Sequence, residues 1–132
     1  VRVARGRKMR TVERLFDEFA AALQFPYYFG ENWAAFGECL ADMDWLPPGS
    51  GYVIVITEPA EVLAAEPITE LATLTRSIAH AGRTYAQPIE LGEWWDRPAL
   101  PFHVVLHAEP AAAGAVQDRW RASGALVEAL LS

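Results

Sequence analysis

Apolar residues recur at helical spacing from residue 12 to residue 23. Val12, Leu15, Phe16, Phe19, Ala22 and Leu23 share one side, and Thr11 stands just ahead of them as an N-cap. Phe25-Pro26 stops this helix, because the residue before a proline is pushed out of the α region. A second stripe, Trp33, Phe36, Leu40 and Met43, predicts a helix over 33–43, capped by Asn32 and bordered by Cys39. The period then changes. Residues 45–51 (WLPPGSG) form a rigid loop with strong turn chemistry. Residues 52–56 (YVIVI) form a continuous β-branched run, the pattern of a strand buried on both faces of a parallel sheet.

The same pattern places a short strand at 1–4, closed by a turn at Arg5-Gly6, and a third strand at 102–107. It predicts a short helix at 59–65 and a longer one that opens at Pro67, runs to Ala81 and is ended by Gly82. Ile68, Leu71, Leu74, Thr75 and Ile78 share the inner side of the longer one. Pro110 opens a further helix to Ala122, and 124–131 fits either a helix or an edge strand. Residues 83–101 show no period and read as loop, although about nineteen residues is long for a loop in a compact domain. Strands alternating with helices imply right-handed crossovers, hence an α/β fold with a small, mostly parallel sheet packed with helices. At 132 residues, with 52% hydrophobic and 21% charged, the chain reads as one globular domain.

Charge is distributed unevenly. Arg2, Arg5, Arg7, Lys8, Arg10 and Arg14 against Glu13 give the first fourteen residues +5, which within a net charge of −6 leaves −11 for the rest. From residue 15 to residue 75 there is no Lys or Arg. Asp17, Glu18, Glu31, Glu38, Asp42, Asp44, Glu58, Glu61, Glu66 and Glu70 all fall in that run. The pattern predicts a single-signed surface suited to a basic protein partner. It argues against nucleic acid as a partner of the body, since neutralising phosphates needs clustered Lys and Arg. A single cysteine, Cys39, makes no internal disulfide and favours a reducing, cytoplasmic setting. No apolar run is long enough for a membrane span, and the basic start lacks the apolar segment of a secretory signal.

The outward side of the 33–43 helix carries Ala34, Gly37, Glu38, Ala41 and Asp42. Glu38 and Asp42 are like charges four residues apart, which costs an isolated helix about 0.2–0.5 kcal/mol. Gly37 costs about 1 kcal/mol more than Ala. Two local costs on one flat face point to docking, with carboxylates placed for Arg or Lys of a partner. A solvated face with an incidental glycine is the plainer alternative.

Residues 28–40 (YFGENWAAFGECL), followed by DMDWLP at 42–47 and the YVIVI strand, resemble the signature of the barstar family, intracellular inhibitors of barnase-type ribonucleases. The resemblance covers 1–82 and fits 102–107 to the family's last strand. Within a single domain, 1–132, it leaves 83–101 as an insertion and 110–132 as a C-terminal extension. It implies a three-stranded parallel sheet packed with helices, no enzymatic activity and no cofactor. It also implies that the 33–43 helix and the loop before it plug a nuclease active site, with carboxylates standing in for substrate phosphates. Tyr28, Asn32 and Trp33 match the family's contact region, and Phe29 belongs to the same loop. Glu38 stands where the family has its dominant acidic contact, usually an Asp. Ala34 replaces a usual acid, Gly37 a usual aromatic, and Ser77 falls near another usual carboxylate. These departures leave open an ordinary barnase or a different nuclease or toxin as target.

Three features fall outside that motif. His103 and His107 share one side of a regular strand, where a metal would need a third ligand and structural polar residues are the plainer reading. Cys39 reads as a buried inert thiol. Glu93-Trp94-Trp95-Asp96 reads equally as a second contact patch or as a lid over the sheet edge. An alternative function follows: a non-inhibitory interaction module on the same scaffold, using the Trp94-Trp95 segment and the tail after Pro110. An enzyme using Glu38 and Asp42 is disfavoured, because a flat helix surface offers no water-excluding pocket.

Overall fold

A computed structural model describes residues 1–47 and 49–129. Three strands form one parallel sheet in the order β1 (Arg2–Arg5), β2 (Tyr52–Thr57), β3 (Phe102–His107). Val3 lies beside Val55 and Val55 beside Val105, so the register runs unbroken across the sheet. Helices α1 (Val12–Leu23) and α2 (Trp33–Asp42) connect β1 to β2, α3 (Ile68–Ala86) connects β2 to β3, and α4 (Ala113–Ala122) follows β3. This is the three-stranded parallel α/β arrangement that the alternating pattern implied. None of the described helices is long and apolar enough to cross a membrane.

Burial alternates along the sheet. Ala4, Ile54 and Ile56 are buried, whereas Val3 is exposed and Val53, Val55 and Val105 are only partly covered. The expected burial of 52–56 on both faces is corrected to burial on one. The reason is that the buried residues of all four helices join the cluster of Ile54 and Ile56.

The first helix follows its pattern. Thr11 Oγ1 accepts from the Arg14 amide at 3.2 Å, and Leu15, Phe16, Phe19 and Leu23 are buried. Elsewhere the tertiary contacts override the local signals. Only a 3₁₀ turn, Pro59–Glu61, forms within 59–65, because the amides of Leu63 and Ala65 donate to the Met9 and Arg10 carbonyls at 2.7 and 3.0 Å. Gly82 does not end α3. A Cβ at Gly82 would make only ordinary contact with the Phe102 ring, and the continued helix puts Tyr85 into the core. α2 stops at Asp42, and Met43 takes the left-handed cap (φ 43°). The helix after Pro110 opens as a 3₁₀ turn, Pro110–Ala112, before α4. Residues 124–129 form neither helix nor strand, and 130–131 lie outside the described residues, as does Pro48 of the 45–51 loop.

The basic start is folded into the body. Gly6 passes so close to the next segment that a Cβ would stand 2.0 Å from the Glu58 carbonyl oxygen, an approach only glycine permits. Beside that contact Arg7 reaches Glu58 at 3.8 Å, and Arg10 pairs with Glu61. Arg5 grips buried Glu18 through its Nε (2.7 Å), its Nη2 (2.9 Å) and its own amide (2.9 Å). Three of the ten acids in the Lys- and Arg-free run are thus already paired, which corrects the expectation of a wholly single-signed surface.

Candidate functional site

Asn32 shapes the beginning of α2. Its Oδ1 accepts from the Ala35 amide at 2.8 Å, and its Nδ2 donates to the Gly30 carbonyl at 3.1 Å. One side chain thereby caps the helix and pins the loop before it. Glu31, between them, adopts a left-handed backbone (φ 50°) that turns the chain into the helix. The inner aromatics of the loop pack inward, with the Phe29 ring edge-on to Phe16 at 5.7 Å and to Phe25 at 5.1 Å. The outer ones do not. Tyr27 is 100% exposed and Tyr28 69%, paired edge-to-face at 5.8 Å.

Trp33 meets Phe16 and Phe36 edge-on at 5.1 and 5.4 Å, and its Nε1 donates to Glu70 Oε2 at 2.8 Å. Phe29 and Trp33, expected as contact residues, are half-buried and mainly form the aromatic floor beneath the loop. Two residues beside the site were not singled out from sequence. Tyr27 gave no signal beyond its neighbour Tyr28, and Glu70 reaches α2 only because α3 packs alongside it.

Ala34, Glu38 and Asp42 are exposed at successive i+4 positions, with Gly37 and Ala41 half-buried alongside. Nothing lies within 4 Å of where a Gly37 Cβ would stand, so the fold itself does not demand glycine there. Among the described residues, neither Glu38 nor Asp42 forms an ion pair. Although Asp42 is exposed overall, partial burial of its carboxyl, and then the charge of Asp44, push it above its ordinary range. A cation arriving at this ridge would relieve that cost. The buried Cys39 thiol is also pushed up, by burial first and then by Asp42 and Glu38, which makes it a poor nucleophile.

The far end of α2 is held by two phenols. Tyr85 donates to the Leu40 carbonyl at 2.8 Å and Tyr52 to the Met43 carbonyl at 3.3 Å. Ser77 is uncharged, and its hydroxyl donates to the Thr73 carbonyl at 3.0 Å. His103 and His107 lie exposed on β3, and among the described residues no three potential metal ligands gather. One shallow open depression is lined by Ile89, Glu90, Gly92, Asp96, Arg97 and Pro98, and another by Lys8, Arg14, Asp17 and Glu18. Neither touches α2.

A family model described as Barstar (barnase inhibitor) matches residues 1–107, a span that contains the whole sheet, α2 and the loop before it. No curated protein matches the chain.

Proposed function

This chain belongs to the barstar family, described as barnase inhibitor, and on that premise we propose that it binds and inhibits a basic ribonuclease, or a related basic toxin, through α2 and the loop before it. The observation that carries this reading is the unpaired Glu38–Asp42 ridge. Among the N-terminal cations, Arg5, Arg7 and Arg10 pair with Glu18, Glu58 and Glu61 instead. In this reading Glu38 receives a cationic side chain of the nuclease, and Asp42 and Asp44 extend the negative potential. Tyr27 and Tyr28 supply exposed aromatic contact, Asn32 fixes the angle between loop and helix, and Ala34, Gly37 and Ala41 let the partner approach closely. The carboxylates occupy the place of substrate phosphates, so no catalytic role and no cofactor fall to this chain. Its place of action is the cytoplasm, where such a nuclease must be silenced.

The second reading, a non-inhibitory module that binds through the Trp94-Trp95 segment and the tail after Pro110, draws less support from the tail. Val116 and Trp120 are buried, Trp120 Nε1 donates to the Pro59 carbonyl at 3.1 Å, and Thr75 Oγ1 donates to the Ser123 carbonyl at 3.0 Å. That part of the tail serves the fold.

The test is to titrate the purified chain against barnase acting on RNA. Stoichiometric loss of cleavage is expected, with Glu38→Ala weakening inhibition at least about tenfold. Asp17→Ala, on α1, is expected to stay within about threefold of the parent. Equal effects of the two substitutions would remove α2 from the reading.

A further inference from the structure

The chain leaves α3 and returns to β3 at almost the same place. The Leu100 amide donates to the Tyr85 carbonyl at 2.7 Å, so residues 86–99 form an excursion whose two ends are one hydrogen bond apart. A direct connection would have sufficed, and compact surface loops of this kind are frequently functional. The excursion is also rigidly built. Ile89 and Arg97 exchange amide–carbonyl bonds at 2.8 and 3.1 Å, and the Asp96 carboxylate accepts from the Leu91 and Gly92 amides at 3.1 and 2.7 Å. The Arg97 guanidinium lies 5.3 Å over the Tyr85 ring and donates to the Thr84 and Gln87 carbonyls, where it caps the negative end of α3.

What this scaffold presents is apolar and acidic. Trp94 is 90% exposed, Leu91 69% and Trp95 47%, so the tryptophans cover no sheet edge and the lid expected as one alternative is not formed. Glu90 and Glu93 stand exposed beside them. The loop is also anchored next to the end of α2, since the Tyr85 under Arg97 is the residue bonded to Leu40.

We infer that the 86–99 loop is a second contact element for the same basic partner that docks on α2, with Trp94 and Trp95 as its anchors and Glu90 and Glu93 as a charge-matched rim. It rests on the α2 reading. A fixed loop loses little freedom on binding, and tryptophan is enriched among the residues that anchor such contacts. The loop also supplies aromatic surface that the α2 ridge lacks at Gly37.

The test measures association and dissociation rates of the full chain with purified barnase and with other purified basic ribonucleases of its type. Trp94→Ala/Trp95→Ala is expected to lower affinity about 10–100-fold, mostly through faster dissociation, with the unfolding midpoint unchanged. A second variant, Glu90→Lys/Glu93→Lys, is expected to slow association instead. If the tryptophan variant binds within twofold of the parent while Glu38→Ala is weakened, the loop is overturned and the α2 reading stands. If the tryptophan variant fails and Glu38→Ala binds normally, the α2 reading falls, and the loop's role as a second element beside α2 is overturned with it, leaving the loop as a contact by itself. If no such ribonuclease binds the parent chain, both are overturned.

Discussion

The Tyr85 hydroxyl donates a 2.8 Å hydrogen bond to the Leu40 carbonyl, one of those that the last turn of α2 leaves without a helical partner. A residue at the end of one helix thereby fixes the last turn of the proposed docking helix. Burial holds the hydroxyl far above the phenol range, so the donor persists at alkaline pH. Tyr85→Phe keeps the ring but leaves a buried acceptor unpaired, and is expected to cost about 1–3 kcal/mol in urea unfolding. A change below about 0.5 kcal/mol would show that the carbonyl finds another partner.

Removing the charge of Glu18 is expected to change the acid limb of stability. The Arg5 side-chain hydrogen bonds, working against burial and helped by the Arg5 amide and by the charges of Arg5 and Lys8, hold the Glu18 carboxyl below its usual range. Protonation is therefore harder in the folded chain than in the unfolded one. The resulting stabilisation is complete above about pH 4.3, the unfolded glutamate value, and is lost as pH falls through the lower folded value. Glu18→Gln is expected to cost about 1–3 kcal/mol at neutral pH and to flatten the stability profile between pH 5 and pH 2. A parallel profile for the two proteins would rule this out.

Gly37→Ala is expected to act in opposite directions on fold and binding. The methyl meets nothing in the chain and removes the glycine penalty, so stability rises by about 1 kcal/mol. The same methyl stands on the face proposed for the partner, so affinity for the nuclease falls. A variant that gains stability and binds as well as the parent would leave Gly37 without a functional reason.

Asp42→Asn is expected to show a similar trade. The raised carboxyl means that the folded chain favours the protonated form, so above the unfolded aspartate value the charge costs stability. Neutralising it is expected to stabilise the free protein slightly, by removing the cost of partial burial and of the Asp44 charge. It is also expected to weaken nuclease binding. In the parent, affinity declines on acidification at a higher pH than an ordinary aspartate would dictate, and the substitution flattens that decline. Affinity measured from pH 7 to pH 4 decides it.

Most of the scaffold was legible where one local signal ruled. Thr11 and Asn32 cap the first two helices as their side chains predict, and 102–107 is a strand over its whole length. What escaped the sequence depends on partners far along the chain. Gly82 reads as a stop, yet α3 continues because Tyr85 reaches Leu40. The basic start and the acidic run read as separate patches, yet the close approach at Gly6 brings Arg7 beside Glu58. Phe29 reads as part of the contact loop, and Trp33 both as core stripe and as contact residue; both are half-buried against the Phe16, Phe25 and Phe36 rings. The 86–99 loop gave no period because its order comes from the Asp96 turn and the Arg97 clamp, neither of which is periodic.

The measurement that bears most directly on the docking ridge is the association rate with barnase as a function of ionic strength, for the parent chain and for Glu38→Arg. If exposed carboxylates on α2 steer a basic partner, the parent rate falls roughly tenfold or more from low to high salt, and the variant is slower at low salt with a flatter slope. Rates that ignore salt, or a variant whose curve overlays the parent's, would contradict electrostatic docking on α2.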